Sequence, residues 1–338
     1  MSLTPLLGSG IIPSSGAVAD QLTALTRRSF VQKLIVQIYN STPTMQALLD
    51  NAQFASGGLD PITVPVQGSS MTTMAWTGYS GTFNQPADQP GVTNAQATLK
   101  LAVVPIPFLG MEGAVQIDAA VIPIISARMN DAMTVMKQGF ASALFNNTAA
   151  LNSLALTGFK DAIDDGTNDD SYMGISRSAN PWWKAQLTLA GNVNPTRALI
   201  LQYIAQLVKL GNELPTIGIC NFGTWMQLAA DFMGLERYNQ SPGSGGFDTV
   251  QSAFQAIVIG GVPIYPDYFC AEGELWFFNT SYLNLYIHQS AKFAFSGFHS
   301  AIPNLQIGFI AVMATILELV NAKPATSKHI QQLNYVNI

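Results

Sequence analysis

The chain has 338 residues, a formal net charge of −5 and Asp, Glu, Lys or Arg at only 10% of positions, against roughly a quarter in an ordinary soluble domain. Fifteen basic and twenty acidic side chains exclude the basic field on which non-specific nucleic-acid binding rests; the one basic knot, Arg27, Arg28 and Lys33, reads as a solvated helix face. Hydrophobic residues make up 48%, yet the longest late apolar run, Ile307 to Leu317, is well short of the roughly 20 residues a membrane helix needs.

Uncharged blocks run from Pro61 to Ala87 and from Phe293 to Leu317. They are too rich in Gly, Pro, Ser and Asn for membrane helices and too poor in Lys and Glu for a solvated exterior, so the simplest cover is another copy of the chain. Cys220 and Cys270, the two cysteines, have no CxxC spacing and fit a reducing environment. The opening MSLTPLLGSGIIPSSGAVAD lacks a basic segment followed by a continuous apolar one, so no secretory signal is expected.

Residues 1–20, rich in Gly, Pro, Ser and Ala, read as an extended arm. Phe30, Leu34, Ile35 and Ile38 mark one face of a following helix, and Thr42 to Asn51 suits a second short one. Ile62 to Phe83 and Ala97 to Phe108 read as the strands of one long hairpin around the loop NQPADQPGVTN. Between Pro61 and Leu99 the single charge is Asp88. Met71, Met74, Trp76, Tyr79 and Phe83 would stand partly exposed if the hairpin projected from a monomer, and an isolated two-stranded hairpin is marginal in water. A neighbour beneath it resolves both problems.

The strongest helix signal spans Ile124 to Asn146, where Ile125, Met129, Ala132, Met136, Phe140 and Ala143 recur at three- or four-residue steps. A second runs from Pro195 to Leu210, with Asn194 as N-cap and Gly211 past its end. A strand at Thr216–Cys220, a helix at Phe222–Phe232 and a loop around SPGSGG follow. Strands return at Ala253–Ile259, Val262–Tyr265, Leu275–Phe278 and Tyr282–His288. Leu305 to Val320 suits one or two strands before a polar tail. The class is α+β.

Chemistry-bearing motifs are missing. There is no Walker A loop, GxGxxG or GxSxG, and His288, His299 and His329 have no HExxH or paired spacing. The acidic run holding Asp161, Asp164, Asp165, Asp169 and Asp170 fails as a calcium loop, because Ile163 falls on a ligand position and Tyr172 replaces the terminal Glu. It reads as a solvated acidic loop. No catalytic residue, cofactor or metal is expected, and the chain is not read as an enzyme.

Residues 171–183, SYMGISRSANPWW, resemble a turn-and-strand signature of the major capsid proteins of tailed bacteriophages, which share the Hong Kong 97 fold. The order of features carries the resemblance. The signature follows a long helix ending in Ala143, Leu144 and Phe145 and precedes the capped helix at Pro195. Arg237 and Tyr238, then AFQAIVIGGVPIYPD from Ala253 to Asp267, then GELWFFNTSYLNLYI from Gly273 to Ile287 are similar to the family's late strand meander.

The resemblance implies a Hong Kong 97-type capsid fold with an N-terminal arm (1–60), an E-loop hairpin with flanking strands (61–110) and a peripheral domain with its spine helix (111–214). It further implies an axial domain (215–300), then closing peripheral strands and a C-terminal tail (301–338). Met71, Met74, Trp76, Tyr79, Phe83, Arg177, Trp182 and Trp183 become the expected inter-subunit contacts. The implied function is an icosahedral shell of pentamers and hexamers, assembled in the host cytoplasm, that encloses phage double-stranded DNA in the virion without sequence-specific binding. A separate scaffolding protein and a portal are the implied partners, and no membrane is involved. An E-loop lysine crosslink is not implied, since Pro61 to Leu99 contains no Lys. An encapsulin-like nanocompartment shell, which resembles the same fold, and a soluble enzyme with an unrecognised site stay open as alternatives.

Overall fold

The computed structural model describes residues 43–55, 61–68, 74, 76–81, 91–109, 124–233, 256–296, 299–300 and 308–336. The helix expected at 30–38 and the Arg237 and Tyr238 motif lie outside these residues. In chain order come helix α1 (Pro43–Asp50), strands β1 (Gln53–Ala55), β2 (Ile62–Gln67), β3 (Val92–Ala97) and β4 (Lys100–Leu109), then helix α2 (Ile124–Phe145). Short strands β5 (Ser171–Tyr172) and β6 (Ile175–Ser176) precede β7 (Gln186–Val193), α3 (Arg197–Gly211), β8 (Ile217–Cys220) and α4 (Phe222–Met233). The remainder is β9 (Ile257–Ile259), β10 (Val262–Pro266), β11 (Leu275–Phe278), β12 (Leu283–His288), β13 (Ala294–Phe295), β14 (His299–Ser300), β15 (Gly308–Asn321) and β16 (Lys328–Leu333).

The chain divides into two compact units. One holds Val103–Met136 and Phe295–Met313, the other Asn40–Ala102, Lys137–Ala294 and Ala314–Ile338. Within the first, β14 pairs antiparallel with the start of β15, His299 opposite Ile310, and Arg128 donates to the Pro107 carbonyl at 2.8 Å.

The second unit contains a six-stranded sheet in the order β7-β16-β11-β8-β10-β9. Its core is built by periodicity: Ile200, Tyr203, Ile204 and Leu207 on one face of α3 pack with Leu228 of α4 onto Ile264, Phe277 and Ile330 of the sheet. α3 starts where Thr196, in extended backbone, accepts the Leu199 amide on its hydroxyl, and it ends where Asn212 turns left-handed at φ 61° and donates its N–H to Val208. The cap is therefore Thr196 rather than Asn194. Pro195 stands between Asn194 and the helix, and the Asn194 side chain instead accepts from Asn334 at 2.7 Å. Gly260 and Gly261, at φ +60° and +84°, close the two-residue turn joining β9 to β10, a geometry that requires positive φ at both positions.

Strand β12 pairs with β15 antiparallel, Leu285 opposite Leu319, and with β1 in parallel, Phe54 opposite Ile287. α1 is fastened by Asp267, whose Oδ2 accepts both the Thr44 hydroxyl (2.6 Å) and its amide (3.3 Å). The Asp closing the IYPD run is thus an internal anchor.

Of the Leu305–Val320 stretch, expected as one or two strands, the described residues form one, β15. One expectation changes. The segment expected as a polar tail contains β16, which lies inside the six-stranded sheet between β7 and β11. Its first two polar residues are buried: Lys328 donates to Gln206 Oε1 at 2.8 Å, and His329 stacks on Trp276 with ring centroids 3.4 Å apart.

Candidate assembly interface

Among the described residues the hairpin is paired near its root. β2 and β3 pair from Ile62 opposite Ala97 to Gln67 opposite Val92, and the Gly68 amide extends the ladder to the Gly91 carbonyl at 3.0 Å. Residues 92–94, read as loop, are strand because the antiparallel register provides them with partners. Ile62, Val64, Val66, Ala95 and Ala97 turn to the covered face, while Thr63, Pro65 and Gln67 are exposed, the alternation of a sheet with one face on a core. Beyond the root, Met74 is 75% exposed, Trp76 92% and Tyr79 fully so. The described residues offer these side chains little cover. Met71 and Phe83 lie outside the described residues.

Beneath the root, an aromatic stack is held by backbone groups. Trp183 donates its indole N–H to the Tyr172 carbonyl at 3.0 Å and stacks on the Tyr172 ring at 6.1 Å. Trp182 meets Trp183 edge-on at 5.6 Å and lies against Gly68. The Tyr172 hydroxyl accepts the Asn321 amide of β15 at 2.9 Å, and burial raises it well above the ordinary phenol range. β3 joins the same block through the Gln96 amide, which donates to the Met173 carbonyl at 2.9 Å.

The acidic run is an organised turn built on one buried carboxylate, while Asp169 and Asp170 are exposed as a solvated loop would have them. Asp164 is fully buried. Its Oδ2 accepts the Gly166 amide at 2.8 Å and the Asn168 amide at 3.1 Å, and its Oδ1 the Asn168 side chain at 2.7 Å. Arg177, also fully buried, sends Nη1 to the Asp169 carbonyl (2.8 Å) and Nη2 to the Asp161 carbonyl (2.6 Å). Nη1 stands 3.7 Å from Asp164 Oδ2, and the guanidinium lies 5.0 Å from the Tyr172 ring centre. Burial pulls the Arg177 pKa down and the nearby Asp164 carboxylate pushes it back up; a group of such high intrinsic value stays charged.

The predicted contact residues therefore separate into two groups. Met74, Trp76 and Tyr79 project outward. Arg177 and Trp183, expected at a contact with a neighbour, have their side chains sealed inside their own chain, and Trp182 is half-buried under the hairpin root. Arg177 belongs inside because its acceptors are backbone carbonyls of the turn it closes. Gly68, Tyr172, Asp164 and Asn321 complete the block; the sequence names Tyr172 and Asp164 only in rejecting a calcium loop, and Gly68 and Asn321 carry no sequence signal. Among the described residues no group of three or more His, Cys, Asp or Glu side chains is placed to hold a metal, and no helix is long and apolar enough to cross a membrane.

No family model matches the chain, and no curated protein matches it in sequence. Solved structures do match in fold. The cyanophage A-1(L) capsid asymmetric unit superposes with a TM-score of 0.69 at 15% identity over 93% of this chain and 99% of that one. The capsid of an empty GTA particle gives 0.57 at 12% identity over 88% and 99%. The holo-SrpI encapsulin complex from Synechococcus elongatus PCC 7942 gives 0.57 at 11% identity over 96% and 97%. The chain has the Hong Kong 97-type α+β fold of these shell subunits.

Proposed function

We propose that this chain is a major capsid protein, a structural subunit that associates as pentamers and hexamers into a closed icosahedral shell around phage double-stranded DNA. The observation that carries the reading is a capsid-type fold displaying Trp76 and Tyr79 almost wholly uncovered on a chain with only 10% charged residues. Such a surface is stabilised by a neighbour, at roughly 25 cal/mol per Å² of apolar area removed from water. Many modest heterologous contacts that close into rings make a stable shell from individually weak interfaces. The E-loop (61–110) would lie across an adjacent subunit and the axial region (215–300) would meet its copies at the ring centres. DNA would be held by enclosure, since a chain of net charge −5 has little non-specific affinity for it. A separate scaffolding protein and a portal would serve assembly.

Expression of the chain alone and with a scaffolding partner, followed by electron microscopy, tests this reading. Closed shells are expected, filled with double-stranded DNA in infected cells. Shells loaded with a protein cargo would favour the encapsulin reading instead, and a monomer at every concentration would overturn both.

A further inference from the structure

A cavity of about 620 Å³ opens at the root of the hairpin, where Gln96 of β3 and Lys100 of β4 face Asp161, Asp169, Tyr172 and Glu318 of β15. Glu318 is 2% exposed, and its Oε2 has no hydrogen-bond partner among the described residues. Thr157 hydrogen-bonds to this carboxyl group, yet a carboxylate stripped of water and only partly satisfied is still costly, whereas the neutral acid is far less so. Lys100 is the one cation among the residues lining the cavity. Its ammonium donates to the Ser153 carbonyl at 3.2 Å. Acid and amine thus share one cavity without pairing.

We propose that Glu318 and Lys100 form a proton-controlled latch at the hairpin root. With Glu318 neutral, Lys100 holds the Ser153 carbonyl and fixes the start of β4; with Glu318 ionised, Lys100 leaves Ser153 for the carboxylate and the β3–β4 root loosens. The step moves one proton between Glu318 and solvent and makes or breaks no other covalent bond.

Burial pushes Glu318 up to about 7, against the opposing pull of Thr157 and Lys100, so the change falls near neutrality. The other groups around it do not replace Lys100 as a counter-charge. Asp161 accepts the Thr148 amide and hydroxyl, and Asp169 accepts the Ser171 amide. Tyr172 carries Arg177 against its ring, and Tyr286 stands opposite Glu318 on β12. A carboxyl whose folded value lies above its unfolded one stabilises the fold fully at acid pH and loses that contribution as pH rises through the folded value. The closed latch is therefore the acid form.

The latch belongs to the folded chain and does not depend on the shell reading. Hydrogen exchange of the full chain, followed by mass spectrometry and expressed as protection factors to remove the intrinsic pH dependence, tests it. Wild-type peptides covering 92–102 should lose protection on the order of tenfold as pH rises from about 5.5 to about 8.5, while peptides of α3 stay constant. Glu318→Gln, neutral at every pH and close in shape, should keep the peptides protected throughout. Lys100→Met, which cannot hold Ser153 in either state of Glu318, should leave these peptides weakly protected and without a transition at every pH. A flat wild-type profile, an unchanged transition in Glu318→Gln, or a wild-type transition retained in Lys100→Met would overturn the proposal.

Discussion

The indole of Trp182 covers Gly68 so closely that a β-carbon at position 68 would stand 2.1 Å from its Cε2. Gly68 is the first residue past β2, and its amide still holds the Gly91 carbonyl. The contact therefore sits where the hairpin leaves the body. Gly68→Ala should force the ring or the strand to shift, at a cost of about 1–3 kcal/mol typical of overpacking, read as a lower urea midpoint. Trp182→Leu should restore part of the loss in the double variant, since residues in contact do not act additively. Additive losses would place the two effects in separate parts of the fold.

Trp76 sets a different test, because at 92% exposure it contributes little to the fold of its own chain. Trp76→Asp should leave circular dichroism and melting temperature unchanged within the ±0.5 kcal/mol scale usual for surface substitutions, roughly a twofold change in the folding equilibrium at most. Shell formation, followed by sedimentation and microscopy, should be abolished. Normal shells from this variant would remove the hairpin from the interface.

Arg177 and Asp164 make the reverse case. Both are fully buried, so Arg177→Met leaves Asp164 without its nearest cation and frees the carbonyls of Asp161 and Asp169. Breaking a buried pair from one side costs about 3–5 kcal/mol, which chemical denaturation can measure. Arg177→Lys should recover little, because one ammonium cannot reproduce the planar fork that reaches two separate carbonyls. Wild-type stability in either variant would mean that the turn is held by Asp164 alone.

Periodicity made the long helices legible: α2 and α3 lie within a residue or two of where their apolar stripes place them. Alternation and turn glycines likewise marked β9 to β12. What escaped were segments whose partners are distant in sequence. KHIQQL carries no apolar pattern, yet β16 is central because Gln206 receives Lys328, Trp276 stacks on His329 and Glu274 Oε2 lies 3.6 Å from the His329 ring nitrogen. The acidic run looked solvated because Arg177, which neutralises it, lies outside it. The same limit misplaced Arg177 and Trp183: residue type suggests a contact, but only the three-dimensional course of the chain decides whether the neighbour is the same molecule.

Lys328 offers a pH test of that hidden strand. Its ammonium is buried at 2% exposure, donates to Gln206 and Gln186, and lies 5.1 Å from the Tyr203 ring centre, with no carboxylate among the described residues bonded to it. Burial pulls it down to about 8 from the ordinary 10.5. The unfolded chain then binds more protons than the folded one between those values, so wild-type stability should rise as pH climbs through that window. Lys328→Met keeps the packed stem, removes the buried charge and leaves Gln206, which is exposed, free to bond water. Its urea midpoint should equal or exceed that of the wild type near pH 7, and the difference should shrink as pH rises toward about 10. An offset that ignores pH would show that the ammonium is hydrated in the folded protein and that β16 tolerates it for reasons of packing alone.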